Sequence, residues 1–384
     1  MRIFLSAGEP SGDLHGANLV RSLRQLRPAI DCVGFGGARM AAAGARLLYP
    51  LCRLAVMGVR RVLSGLPQFI RLLLQADHSF AHERPDAVVL IDFPGFNWWL
   101  AWLAHRRGIP VFYFVPPQLW AWAGWRVRKM RRSVDHVLCN LPFEAAWYNA
   151  RGIPGHYIGH PYFDELAAQR LDEAFLAEQA ARPGSLVALL PGSRHHEIEN
   201  NLPTLLGAAA HIHAARPDTR FLVACLYPDQ RDRVIRQLRG SLLPIEVHSG
   251  RTPEIIQLAH CCIAVSGSVS LELLYRGKPT VIVYRIRAVE RLLARLLLKC
   301  RYITLVNLLA DRELFPEFLS VRDEAEPVAA CVLRWLNDPA AHAELCRQLA
   351  ALRQQVALPG ACARAAQFIL EVLERKRGDG QQAA

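Results

Sequence analysis

The feature that most constrains this chain is a repeated alternation. Short, continuously apolar, β-branched runs are separated by longer stretches with helical periodicity. An apolar run without polar alternation suits a strand covered on both faces, and strands joined through helices run parallel. In the first half strands are predicted at residues 3–6, 32–34, 87–92, 110–115, 136–139 and 156–158, with helices such as 14–26 and 98–105 between them. In the second half they are predicted at 186–190, 221–225, 245–248, 262–265 and 280–284, with helices near 202–215, 230–238 and 253–258. Two such series predict an α/β chain of two Rossmann-like doubly wound domains facing a central cleft. The divisions expected are residues 1–165, 166–330 and a helical segment 331–384. That last segment is expected to pack back on the first domain or on a partner chain, and to end in a disordered polar tail.

Composition narrows the function. The 384 residues are 52% hydrophobic and 21% charged, which excludes bulk disorder and fibrous classes. Forty-six basic against 34 acidic residues give a net charge of +12, pointing to anionic partners. The basic residues are scattered and no nucleic-acid module is recognisable, so nucleic acid is not expected. Ten cysteines without a C-x-x-C pair argue against a disulfide scaffold or a zinc site and for a reducing compartment. The greasiest stretch, 96–122, is interrupted by His105-Arg106-Arg107 and by prolines, short of a membrane span. No signal peptide is expected, because residues 1–6 already form a strand pattern.

Ligands of open parallel sheets bind where strands end at their carboxyl edge, so the loops after strands carry the candidates. Ala7-Gly8-Glu9-Pro10-Ser11-Gly12-Asp13 follows the first strand. Ser11 or Asp13 suits a helix cap, while Glu9 is left as an unexplained carboxylate. Asp92-Phe93-Pro94-Gly95-Phe96-Asn97 places a carboxylate at the end of a buried strand. There Asp92 is either a general base with a raised pKa or a helix cap. Val115-Pro116-Pro117-Gln118-Leu119-Trp120-Ala121-Trp122 offers aromatic faces to a sugar ring or an acyl chain, or packs as a loop. Leu190-Pro191-Gly192-Ser193-Arg194 offers backbone donors and a guanidinium fork for a diphosphate. Ser266-Gly267-Ser268-Val269-Ser270-Leu271-Glu272 offers a second cradle, with Glu272 either on a ribose or complementing a helix dipole. Neither a G-x-G-x-x-G fingerprint, a phosphate-binding P-loop nor a G-x-S-x-G elbow is present. Two basic apolar stretches, 59–74 and 288–299, are either membrane-surface helices, with Leu63, Phe69 and Leu73 as contacts, or core-facing ones.

Taken in order, these loops resemble the lipid-A-disaccharide synthase family. The resemblance is carried by Gly8-Glu9-Pro10-Ser11-Gly12-Asp13, Ala55-Val56-Met57-Gly58, Ile91-Asp92-x-Pro94-x-Phe96-Asn97 and Trp120-Ala121-Trp122. It continues through Leu141-Pro142-Phe143-Glu144, Ile158-Gly159-His160-Pro161, Leu189-Leu190-Pro191-Gly192-Ser193-Arg194-x-x-Glu197-Ile198, Ser266-Gly267-Ser268-x-x-Leu271-Glu272 and Asn307-Leu308-Leu309. The resemblance implies a GT-B glycosyltransferase that inverts without a metal or cofactor. Its donor would be UDP-2,3-diacylglucosamine and its acceptor 2,3-diacylglucosamine 1-phosphate (lipid X). Its products would be a β(1→6) disaccharide 1-phosphate and UDP.

It further implies a peripheral enzyme on the inner face of the inner membrane, and a homodimer is compatible with it. Asp92 would be the base. Gly192, Ser193, Arg194, Ser266, Gly267, Ser268, Glu272 and Asn307 would hold the donor, and Glu9, Ser11, Gly12, Asp13 and His160 would orient substrate. The sequence departs from the family pattern at Gly95, where a second carboxylate is common, and at Pro116 and Val306. The rival readings are a GT-B epimerase of a UDP-sugar and a basic membrane-binding protein without catalysis.

Overall fold

The computed structural model describes residues 1–55, 66–122, 124–287 and 300–382. The chain divides into two compact units, Met1–Asp164 with Leu358–Ala384, and Glu165–Ala357.

In the first unit β1 (Arg2–Ala7), β2 (Asp31–Phe35), β3 (Arg46–Tyr49), β4 (Ala87–Ile91), β5 (Val111–Phe114), β6 (His136–Cys139) and β7 (Gly155–Tyr157) form one sheet in the order β3-β2-β1-β4-β5-β6-β7. Every pairing is parallel. Alternate residues serve opposite cores. Ile3, Leu5, Val89 and Ile91 face one helical layer, while Phe4, Val88 and Leu90 face the other. The second unit repeats the plan with β8 (Leu186–Leu190), β9 (Arg220–Cys225), β10 (Ile245–Ser249), β11 (Cys261–Val265), β12 (Thr280–Arg285) and β13 (Glu317–Ser320), in the order β10-β9-β8-β11-β12-β13. The sequence pattern missed β3 and β13. Both lie at sheet edges and are only partly covered, so they carry mixed residues rather than apolar runs.

Each sheet reverses its winding once, between β1 and β4 and between β8 and β11. A crevice opens at such a switch point. Register aligns the two exits: Ala7 pairs with Ile91, and Leu190 with Ala264. The loops after these four strands are the four that carry Glu9, Asp92, Arg194 and Ser266.

The terminal segment corrects the expected division at 331. Helices Ala325–Asn337 and Pro339–Val356 stay in the second unit, where Val328, Ala329, Val332 and Trp335 join the core. Only the last helix, Ala361–Gln382, belongs to the first unit. Its Cys362, Ala365, Ala366, Ile369, Leu370 and Leu373 recur at helical spacing and pack into the core shared with helix Pro10–Leu26. It also runs on as helix through Gly378 to Gln382, where the polar composition predicts a disordered tail. The stretch 339–378 is long and apolar enough for a membrane span. It is nevertheless two helices broken at 357–360, each with apolar residues buried in a core.

Asp164 fastens the last helix. Its carboxylate accepts the N–H groups of Gly360, Ala361 and Cys362 at 2.5, 3.1 and 2.9 Å, satisfying donors that a helix start leaves open. Replacing it with Ala is expected to destabilise the first unit by about 1–2 kcal/mol, the scale of a lost cap. Limited trypsin digestion should then cut within 361–377 before the rest of the unit.

Candidate active site

At the first switch point the backbone is strained. Asp92 and Phe93 both have φ of +47°, a left-handed conformation that costs a non-glycine residue about 1–2 kcal/mol. The turn is held by main-chain contacts. Asn97 Nδ2 and the Tyr113 hydroxyl donate to the Asp92 carbonyl at 2.7 and 2.8 Å. Asn97 is fully buried and accepts from Ser6 Oγ at 2.7 Å. The Phe93 ring lies over Gly8, where a Cβ would stand 2.2 Å from a ring carbon. Among the described residues, the Asp92 carboxylate takes only the neighbouring Phe93 N–H. Burial first, then the Glu9 charge, pushes its pKa up to about 6. Asp92 caps nothing: helix Pro94–Arg106 has Phe93 at its N-cap position, with no side-chain cap. A partly buried carboxylate poised near neutral pH suits proton abstraction.

The other candidates of the first unit divide. Glu9 stands at the start of helix Pro10–Leu26 without capping it, and Ser11 is exposed beside it. Asp13 is not free to orient a substrate. Its carboxylate accepts from Gly37, Arg39 and Met40 N–H at 2.8–3.0 Å and so caps the helix Ala38–Ala42. Gly12 is buried against the ends of β1 and β4. His160 is buried, accepts the Tyr162 N–H at Nδ1, and is held neutral, its pKa lowered to about 3 by burial and then by His15. His15, lowered by burial to about 4, lies 6.3 Å away between ring centroids. Trp120 is the packed member of its aromatic pair, donating to Glu144 Oε1 at 2.9 Å, and Glu144 Oε2 also accepts the Asn140 and Leu141 N–H groups. Trp122 is exposed under the Arg126 guanidinium. Gly95 is exposed with open space around it, and Val306 is buried.

In the second unit, much of the expected donor chemistry is already engaged. Gly192, at φ +113°, sits against the Glu197 side chain. Glu197 Oε2 accepts the Ser193 and Arg194 N–H groups at 2.9 and 3.1 Å, so these two are capping donors rather than free phosphate donors. The Arg194 guanidinium touches Glu197 at 3.2 Å but is 66% exposed and remains available to an anion. Ser266 Oγ donates to the Ile303 carbonyl. Gly267 and Ser268 are exposed at the turn. Glu272 is only 4% exposed and pairs with Arg276, whose other nitrogens reach Gln257 and Gln169.

Asn307, expected to hold the donor, has its side chain engaged internally. It is fully buried, Nδ2 donates to the Phe315 carbonyl and to Glu317, and Oδ1 accepts the Leu314 and Phe315 N–H groups. Both polar atoms of that side chain are engaged by its own loop.

Of the three expected membrane-contact residues, the structure places Phe69 and Leu73. Leu63 and the whole of 288–299 lie outside the described residues, as do Val56, Met57 and Gly58. Phe69 and Leu73 turn inward against the core, Phe69 at 5.6 Å from the Phe96 ring. On the same helix, Leu66–His82, it is Leu66, Ile70 and Leu74 that are exposed, at four-residue spacing. Trp99 and Trp102 are exposed on Pro94–Arg106, with Arg106 over Trp102.

Comparison with known proteins fits two such units. The family model described as lipid-A-disaccharide synthetase matches residues 3–372. The chain belongs to the lipid-A-disaccharide synthase family. A family protein of Myxococcus xanthus is 37% identical over 374 residues, covering 97% of each chain. One from Thiobacillus denitrificans is 36% identical over 371 residues, covering 97% of this chain and all of the other. Among solved structures, an epimerase described as a putative UDP-N-acetylglucosamine 2-epimerase of Listeria monocytogenes superposes with TM-score 0.66 at 15% identity, covering 98% and 97%. The calicheamicin glycosyltransferase CalG4 gives 0.62 at 16%, covering 97% and 98%. At such identities these two show the fold, GT-B, and the family makes the chain a glycosyltransferase of lipid A biosynthesis.

Several organising residues of this family member carry no assignment from the sequence. Glu197 and Glu144 each stand three or four residues beyond the loop they tie, a capping signature that the sequence does offer. Arg276 stands four residues after Glu272, a helical ion-pair spacing visible in the sequence, whereas Tyr113 gives no signal, because its partner is fixed only by the fold. Asn307→Ala is expected to leave the Leu314 and Phe315 N–H donors, the Phe315 carbonyl and Glu317 short of a partner and to lower Tm by several degrees. Calorimetric affinity for uridine nucleotide, measured below Tm, should stay unchanged.

Proposed function

We propose that this chain transfers a 2,3-diacylglucosaminyl group from its UDP donor to the 6-hydroxyl of 2,3-diacylglucosamine 1-phosphate. The single observation that carries the chemistry is the Asp92 carboxylate, partly buried at the first switch point with its pKa raised to about 6. As general base it takes the proton of the acceptor hydroxyl. The hydroxyl oxygen forms a bond to the anomeric carbon while the bond to the diphosphate breaks on the opposite face, which inverts the centre. The electron pair leaves with UDP. The exposed Arg194 guanidinium and the open turn at Gly267 and Ser268 are the groups suited to receive that charge. Among the described residues no cluster of three or more His, Cys, Asp or Glu is arranged to hold a metal. Glu9 and Ser11, beside Asp92's loop, suit the sugar hydroxyls.

Asp92→Asn tests the base. Turnover of purified protein should fall about 10²–10⁴-fold. In the wild type, kcat/KM should rise with pH through about 6, as the carboxyl loses its proton. Stability moves the other way. The folded carboxyl holds its proton more tightly than the usual value of 3.8, so the folded state is progressively disfavoured as pH rises from 3.8 to about 6. At pH 7 the neutral Asn removes that penalty, and Tm should rise while activity collapses. Near-normal turnover would assign the base elsewhere in the unit.

Both sugar substrates carry acyl chains, and the exposed face of Leu66, Ile70 and Leu74 supports docking on the inner leaflet of the inner membrane. Changing these three to Ser should release the protein from anionic phospholipid vesicles in a flotation assay. Changing the inward Phe69 and Leu73 should lower Tm instead.

A further inference from the structure

We propose that Asn97 and Tyr113 are positioning residues of the transfer reaction, which hold the Asp92 carboxylate in its working orientation through the Asp92 main-chain carbonyl. The inference rests on Asp92 being the base and adds how it is aimed.

Two separate elements donate to this one carbonyl, and a third orients one of the donors. Helix Pro94–Arg106 supplies Asn97 Nδ2 at 2.7 Å, and β5 supplies the Tyr113 hydroxyl at 2.8 Å. β1 orients Asn97 through Ser6 Oγ at 2.7 Å. Asn97 Nδ2 lies also within 3.3 Å of the Ile91 carbonyl and 3.4 Å of the Ser6 carbonyl, so the amide is locked across β1 and β4. Both residues are completely buried. What they hold is the pair Asp92–Phe93, consecutive non-glycine residues at φ +47°. Such a turn persists only where its surroundings over-determine it. An ordinary helix start would place its N-cap residue in the extended region, and the different backbone at 92 and 93 would change the direction in which the Asp92 side chain leaves the chain. The Tyr113 hydroxyl is kept protonated, and so a donor, by burial and then by the Asp92 charge, which together hold its pKa well above the usual value.

A double-mutant cycle separates aiming from simple stabilisation. Tyr113→Phe removes one donor and leaves the ring packed 5.7 Å from that of Trp98. In the wild-type background kcat should fall about ten- to hundredfold, the scale of a misplaced catalytic group. Acceptor KM and UDP affinity should stay within about twofold. In the Asp92→Asn background the same change should alter kcat less than about twofold, because no base remains to aim. Asn97→Ala should behave alike, with Tm measured first, and Tyr113→Phe alone decides the question if that variant does not fold. Equal losses from Tyr113→Phe in both backgrounds would show a purely structural hydroxyl and overturn the proposal. A large loss in Asp92→Asn with none in Tyr113→Phe would overturn the positioning role alone. Wild-type turnover in Asp92→Asn would overturn the base assignment, and the positioning role with it.

Discussion

The parallel pairing of β1 with β4 is the constraint on which the first unit's chemistry depends. Its register sets Ala7 beside Ile91, so two chain segments more than eighty residues apart leave the sheet at the same level. The contacts around Asp92 follow from this alignment. Phe93 reaches over Gly8, Asn97 bridges to Ser6, and the Glu9 charge is felt by Asp92. A slip of one residue would turn the apolar set of each strand to the wrong layer, and the two cores forbid it.

Elsewhere the loops are fastened by carboxylates that accept main-chain N–H groups. Asp13 ties the loop after β2, Glu144 the loop after β6, Asp164 the last helix and Glu197 the loop after β8. Glu317 does the same for Ile303 and Thr304 while also receiving Asn307. Asp92 differs in kind. Among the described residues it takes just the adjacent N–H, and its charge is left in a partly buried site with another carboxylate nearby. That contrast separates the acids that build loops from the one suited to proton transfer.

The same contrast explains what could be read from the sequence. Central strands announce themselves because burial on both faces demands continuous apolar runs, as in Val88-Val89-Leu90-Ile91. Edge strands such as Arg46–Tyr49 do not. The four loops at the switch points are legible because small residues and carboxylates follow directly on those runs. The roles within them are only partly so. Asp13 reads as a local cap or a ligand residue, yet it caps a helix 24 positions on. Asn307 reads as a ligand residue, yet it belongs to a closed internal network. On the helix Leu66–His82 the apolar residues are visible in the sequence, but which of two helical stripes faces outward depends on Phe96 and its neighbours.

The return of the last helix to the first unit has a consequence for synthesis. The second unit is one uninterrupted stretch, 165–357, whereas the first lacks Ala365, Ala366 and Ile369 of its core until the final residues are made. On the ribosome, the amino-terminal sheet therefore waits, one apolar layer only part-covered by helix Pro10–Leu26, while the unit encoded after it already has every residue it requires. Order of translation and order of completion are inverted in this chain. Apolar surface left part-open while more than half the protein is made is surface on which unfinished chains can aggregate.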